Sequence, residues 1–200
     1  MKKGCLIGVV IIAALLLLVI IAFMWGVGKR NQMVTMNEKV ATLWSDVETQ
    51  YQRRSDLIPN FVNTVKGAAA FEQETLTKVI EARSKATQVT VDPSNITPEQ
   101  MKQFQAAQGE VSSALSRLMV VVEQYPELKA TQNYRDLQVA LEGTENRIAV
   151  ARNNFNEGAR AYNTFIKQFP ANIVASITGF KERPYFEAEE GADKAPEVKF

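Results

Sequence analysis

The sequence YQRRSDLIPNFVNTVKG, from Tyr51 to Gly67, interrupts an otherwise almost unbroken helical pattern. It contains two adjacent arginines, an aspartate, two aliphatic residues and a proline. Before it, apolar residues recur every three or four positions from about residue 31, as on one face of a helix. After it, the same periodicity resumes and continues to about residue 86. This stretch therefore decides whether the chain forms one long helix or two.

The apolar positions keep their phase across Pro59, so a single kinked helix over residues 31–86 is one interpretation. We favour a sharp turn, because it gives helices of about 26 and 30 residues that match the third helix in length and make a compact bundle. In this interpretation Asp56 caps the second helix and Pro59 lies in its first turn, where a missing N–H costs little. Leu57 and Ile58 then pack the end of a bundle, and the arginines face outward.

Length and composition limit the function classes. The chain has 200 residues, enough for roughly one domain with an anchor, and a formal net charge of +1. Because so small a charge gives no strong attractive field, we expect no nucleic-acid partner. The sequence has no histidine, which removes imidazole as a general base or metal ligand. Its one cysteine, Cys5, has no partner for an intramolecular disulfide.

An uncharged apolar run from about residue 6 to residue 27 follows Lys2 and Lys3. About 20 apolar residues cross a hydrocarbon core of roughly 30 Å, and Trp25 near the end suits the membrane interface. A cleaved signal peptide is the alternative, but the run is long and no small-x-small cleavage site follows it. We therefore expect a single-pass anchor that contacts the lipid bilayer of the cell's inner membrane. Basic residues flank the run almost equally, so the side that carries the soluble domain stays open.

Two more helices are predicted beyond residue 95. Thr97, Pro98 and Gln100 form a capping-box pattern at the start of the third helix, and Tyr125-Pro126 ends it. The fourth helix has the most regular periodicity, over residues 134–169. The predicted fold is all-α: residues 1–30 are a transmembrane anchor with its flanks, 31–170 an antiparallel four-helix bundle, and 171–200 a short apolar segment and an acidic tail. The tail, from Lys181, has too few apolar residues to offset the cost of ordering, so we expect it to be mobile unless a neighbour holds it.

Read as a unit, the opening stretch resembles the central motif of the LemA family of single-span bacterial membrane proteins. Trp44 upstream and Glu72 downstream extend the match, and a second block is similar to the family's last long helix: Ala151-Arg152, Phe155-Asn156, Tyr162-Asn163 and Phe169-Pro170. The resemblance implies an anchor and a four-helix bundle, but little chemistry. The family's usual tyrosine and histidine after Lys66-Gly67 are Ala68 and Phe71 here, so no role of that histidine applies.

Candidate contact residues concentrate in the opening stretch: Arg53, Arg54, Asp56 and Lys66. The arginines and Asp56 could dock a partner or lipid phosphates, since guanidinium binds phosphate through two hydrogen bonds. We favour the alternative in which one arginine pairs with Asp56 or caps a helix and the other is solvated. Gly67 could line a groove with Lys66, but a close helix crossing explains a glycine within a helix better.

Asn156 and Asn163 are seven residues apart and share one face of the fourth helix, next to its apolar stripe. Buried asparagines can fix the register of packed helices, and we prefer this role to a ligand site. Glu142 and Glu145 lie one turn apart, as such pairs do by chance in a helical protein with 22 acidic residues. The apolar segment from Ile173 to Phe180 either forms an interfacial or partner-binding patch or caps the open end of the bundle.

No residue of the sequence is predicted to be catalytic, to bind a cofactor or to hold a metal. We expect a membrane-anchored scaffold or assembly protein that acts through protein contacts and self-associates. An adaptor that recruits or regulates another membrane protein, such as a protease, is the alternative. A histidine-free hydrolase that uses carboxylates is the least favoured interpretation.

Overall fold

The structure, a computed structural model, describes residues 3–67 and 73–187, with side chains from residue 7 onward. Its elements are all helices: α1 (Lys3–Lys66), α2 (Gln73–Gln88), α3 (Pro98–Val122), the short α4 (Pro126–Lys129), α5 (Gln132–Lys167) and α6 (Ala171–Thr178). The described ranges contain no strand. The predicted all-α class is confirmed.

The N-terminal part of α1 has the properties of a membrane span. In the described ranges it is the one helix long and apolar enough to cross a bilayer, judged by length and composition. The large apolar side chains between Ile7 and Val27 do not pack against the rest of the chain and are exposed. The predicted apolar anchor is therefore present as a helix, and it continues into the bundle without a break.

Helix α1 passes through Pro59 and ends only at Lys66, so the predicted turn at Pro59 is wrong. A proline within a helix cannot donate to the carbonyl oxygen four residues earlier, here that of Ser55. Nε of Arg83, on α2, donates to this oxygen at 2.8 Å and replaces the missing backbone bond. Asp56 accordingly caps no helix. The proline is tolerated because a neighbouring helix satisfies the carbonyl that it leaves free.

Helix α5 packs along α1 and runs antiparallel to it, and α2 packs against both α1 and α3. The rings of Trp44 and Phe155 lie 5.5 Å apart, and those of Phe61 and Tyr134, at the other end, also lie 5.5 Å apart. Buried apolar side chains form two clusters. The lower cluster, nearer the anchor, surrounds Trp44, and the upper cluster surrounds Phe61.

The predicted helix start at residue 97 is confirmed in detail. Thr97 Oγ1 accepts from the backbone N–H of Gln100 at 3.2 Å, and Gln100 Oε1 accepts from the N–H of Thr97 at 3.1 Å. Pro98 is the first residue of α3. The segment from Ile173 folds into α6, which ends at Gly179, with a φ of 78° that favours glycine.

Candidate functional site

Arg54 lies inside the bundle, with 2% of its side chain exposed. Nη1 donates to Ser112 Oγ at 2.8 Å and to the carboxylate of Glu145 at 2.9 Å. Nη2 donates to the backbone and side-chain oxygens of Gln108, at 3.1 and 2.6 Å. The prediction that both arginines face outward is therefore wrong for Arg54, which links α1 to α3 and α5.

The position of Arg54 separates the two apolar clusters. Tyr51, of the lower cluster, places its ring 5.0 Å from the guanidinium carbon, whereas Ile58, one turn above, belongs to the upper cluster. A buried guanidinium keeps its charge and so needs acceptors and a counter-charge. Gln108, Ser112 and Glu145 supply these. With its donors engaged, Arg54 is a structural link between three helices and not a phosphate-docking group.

Arg53 and Asp56 lie on the opposite, outward side of α1. Both side chains are exposed. They line a shallow open groove of about 870 Å³, the α1 groove, formed by Ser45, Glu48, Thr49, Gln52, Arg53, Asp56, Leu57 and Asn60. The carboxylate of Asp56 accepts from Gln52 Nε2 at 2.8 Å. Within residues 3–67 and 73–187, Arg53 has no hydrogen bond or ion pair, so its charge is free to meet a partner.

Of the remaining candidates of the stretch, Leu57 also lines this groove, whereas Ile58 and Lys66 do not. Lys66 is exposed at the end of α1, about 20 Å along the helix from Arg53. Ile58 is buried in the upper cluster and Leu57 packs partly against it, but both lie within the continuous α1 and not at the predicted end of a bundle. The structure therefore brings Arg53 and Asp56 together, places Arg54 in the interior and leaves Lys66 at a distance.

Glu48, in the α1 groove, is half-buried one turn after Trp44. Burial raises the pKa of Glu48, and the indole N–H of Trp44 lowers that pKa by a smaller amount. The indole nitrogen is itself buried and makes no hydrogen bond of ordinary length and angle.

The close crossing between helices occurs at Gly158 and not, as predicted, at Gly67. A Cβ on Gly158 would overlap Leu43 Cδ1, the end of a flexible side chain that would have to move, so α5 approaches α1 closely here. Gly67 is exposed, and among residues 3–67 and 73–187 a Cβ there would meet backbone oxygens of its own last turn, the nearest being that of Thr64 at 3.4 Å.

Asn156 and Asn163 hold the chain that follows α6. Asn163 Nδ2 donates to the carbonyl of Arg183 at 2.8 Å, and its Oδ1 accepts from the N–H of Arg183 at 2.8 Å. Asn156 makes the same pair of bonds with Phe186, at 3.0 and 2.8 Å. The seven-residue step from Asn156 to Asn163 along the helix and the three-residue step from Arg183 to Phe186 along the extended chain both span about 10 Å, so each asparagine faces its partner. These bonds join a helix to an extended chain, whereas from the sequence we expected the asparagines to lie between packed helices.

Residues 181–187, the C-terminal strap, are therefore the part of the predicted tail that a neighbour does hold. Phe186 is buried and stacks on Trp44, with ring centroids 5.7 Å apart. Arg183 is also buried, and its guanidinium donates to Asn37 on α1 and to the backbone oxygen of Ser94. Burial lowers the pKa of Arg183. Residues 188–200 lie outside the described ranges.

The paired glutamates show no arrangement suited to acid–base chemistry. Glu142 and Glu145 are exposed. Glu142 accepts from Gln138 Nε2 at 2.9 Å, whereas Glu145 accepts from Arg54. In the part of the chain that the structure describes, no group of three or more cysteine, aspartate or glutamate side chains could hold a metal ion.

Together, the apolar start of α1 and the helices packed on its continuation define a membrane-associated helical protein. The family model described as "LemA family" matches residues 43–200. The chain belongs to the LemA family.

Relatives from two bacterial groups are similar over most of the chain. The magnetosome protein MamQ 1 of Paramagnetospirillum magneticum is 32% identical over 180 residues, covering 82% of this chain and 66% of the relative. MamQ of Magnetospirillum gryphiswaldense is 31% identical with the same coverage. Protein LemA of Metamycoplasma hominis is 27% identical over 164 residues, or 82% of this chain and 71% of that one. The chain thus spans just under two thirds of the length of the MamQ proteins.

Proposed function

We propose that the chain is a scaffold in the cell's inner membrane, which acts through protein contacts and associates laterally with copies of itself. The observation that carries this proposal is the continuity of α1 from the apolar run to Lys66. One unbroken helix holds the bundle at a fixed distance and angle relative to the bilayer. It extends about 60 Å beyond Val27, and Arg53 lies about 40 Å beyond it.

The α1 groove is the surface that suits contact with a second copy. Copies anchored in the same orientation in one bilayer stand parallel, so equal heights face each other. Arg53 and Asp56 differ in height by about 4.5 Å, which an arginine side chain can reach across. Because a two-fold contact repeats each interaction, Arg53 of each copy meets Asp56 of the other. The free charge of Arg53 and the exposed Asp56 support this pairing.

Thiol cross-linking in vesicles tests the contact. In the full chain with Cys5→Ser, Asn60→Cys, which lies in the groove and leaves Arg53 and Asp56 in place, should give cross-linked dimers with a short bifunctional thiol reagent. The matched control is Ser116→Cys, an exposed position on α3, which should give few. Equal yields at the two positions would indicate random collision, and monomers at both would exclude self-association through this groove.

Charge reversal provides a second test in native mass spectrometry of detergent extracts. Arg53→Glu should reduce the dimer fraction, and the double variant Arg53→Glu/Asp56→Arg should restore it. If Asn60→Cys is instead cross-linked in cells to a different membrane protein, the groove recruits that protein and the adaptor function replaces self-association.

A further inference from the structure

An exposed apolar surface lies at the end of the bundle nearest the anchor. Phe169 is 80% exposed, Ile173 51% and Ile177 80%. Ile173 and Ile177 are four residues apart and so share one face of α6. The other face packs inward, with Ala171 and Ala175 buried. The helix therefore has two apolar faces, of which the bundle covers only one.

The register between α5 and α1 gives the height of this surface. Trp44 packs beside Phe155 and Arg54 bonds to Glu145, so the two helices advance residue by residue in opposite directions. Continuing twelve residues from the first pair toward the anchor places position 32 of α1 beside Lys167, the end of α5. Position 32 is about 7 Å beyond Val27.

Two further contacts confirm this height. The ammonium group of Lys29 lies 5.3 Å from the ring centroid of Phe165 and 5.9 Å from that of Trp25. After α6, the carbonyl of Lys181 accepts from the hydroxyl of Tyr162 at 3.0 Å. Helix α6, which packs against both α1 and α5, thus follows the end of α5 that is nearest the anchor and precedes a chain segment that is held at Tyr162.

We infer that the outer face of α6 contacts the interfacial layer of the same bilayer that α1 crosses. The interface extends roughly 5–8 Å beyond the hydrocarbon core on each side, and the end of α5 lies at that distance. Apolar faces of interfacial helices insert about 5–10 Å into the boundary between headgroups and acyl chains. The exposed face of α6 lies at the end of the bundle nearest the apolar span, so lipid is the occupant that its position favours.

The basic residues beside α6 suit this contact. Lys29 and Arg30 follow the apolar run, and Lys167 and Lys181 flank α6. Glu182 pairs with Lys167 at 2.7 Å, which leaves the other cations to attract anionic lipid headgroups. This second attachment would fix the rotation of the bundle about α1, which a single span alone leaves free. The proposed contact between α6 and the bilayer does not depend on self-association of the chain.

Fluorescence quenching by spin-labelled lipid tests the inference in the full chain. Ile177→Cys, in a Cys5→Ser background, is labelled with an environment-sensitive fluorophore and reconstituted into vesicles of phosphatidylcholine and phosphatidylglycerol. The matched control is Val139→Cys, a position that is 68% exposed on α5 and about 50 Å from the apolar run by the same register. Circular dichroism verifies that both variants keep their helix content.

Headgroup-labelled lipid should quench the fluorophore at position 177 at least threefold more than at position 139, independently of the protein-to-lipid ratio. Ile173→Cys, on the same face, should behave like Ile177→Cys. Equal, weak quenching at positions 177 and 139 would overturn the inference. A blue-shifted emission at position 177 that disappears on dilution of the protein in lipid would also overturn it, because a second copy would then cover the face.

Discussion

The hydrogen bond from Arg83 to the Ser55 carbonyl predicts that the effect of replacing Arg83 depends on Pro59, which lies 24 positions earlier in the chain. Pro59 lacks the N–H that would bond this carbonyl, and Arg83 Nε replaces it at 2.8 Å. Arg83→Met keeps most of the aliphatic side chain and removes the donor. In the natural sequence, the substitution leaves a partly buried carbonyl without its partner. In a Pro59→Ala background, the new backbone N–H can bond Ser55 instead.

The size of the effect follows from the type of bond. A hydrogen bond with a charged donor contributes about 1.5–3 kcal/mol. We therefore expect Arg83→Met to lower the free energy of unfolding by about 2 kcal/mol in the natural sequence, but by less than about 0.5 kcal/mol in Pro59→Ala. Pro59→Ala alone should raise it by about 1–3 kcal/mol, because proline is unfavourable inside a helix.

Urea unfolding of the full chain in detergent, followed by circular dichroism, measures all four members of this cycle. Lys85→Met is the matched control on α2, because its ion pair with Glu110 joins two exposed side chains. It should change stability by less than about 1 kcal/mol in both backgrounds. An equal cost of Arg83→Met with and without Pro59 would refute the explanation given for the unbroken helix.

Two other predictions concern the strap and the α1 groove. Asn163→Ala should lower the free energy of unfolding by about 2–3 kcal/mol, because two buried hydrogen bonds to Arg183 are lost. The same substitution should speed tryptic cleavage after Lys181. The control Asn172→Ala, at an exposed position, should change neither the stability nor the cleavage rate. Glu48→Gln should raise the melting temperature more at pH 7 than at pH 4. The raised pKa of Glu48 means that the folded state favours the protonated form, so its contribution to stability is lost as the pH rises through that pKa.

Patterns that depend on neighbouring residues were predictable from the sequence. The apolar run identifies the anchor, and the capping box at Thr97 locates the start of α3, because both depend only on nearby positions. The apolar periodicity identified the helical faces, including the burial of Trp44 and Ile58. The continuation of α1 through Pro59 was not predictable, because it depends on the hydrogen bond from Arg83, which lies on the next helix.

The candidate site was predicted only in part, for a geometric reason. Adjacent residues on a helix point about 100° apart, so Arg53 and Arg54 cannot both occupy one surface. Which of them is buried depends on Gln108, Ser112 and Glu145, and no local pattern connects these residues to the arginines. The seven-residue spacing of the asparagines was visible, but its match to a strap 20 to 30 residues later required the fold.

The central claim is that one continuous helix joins the bilayer to the far end of the bundle. Spin labels at Lys39→Cys and Lys66→Cys, in a Cys5→Ser background in vesicles, test it by double electron–electron resonance. Both native side chains are exposed. An unbroken α1 predicts a separation of about 40 Å between the labelled positions. A turn at Pro59 would bring residue 66 back beside α1 and give about 22 Å, and that result would contradict the account.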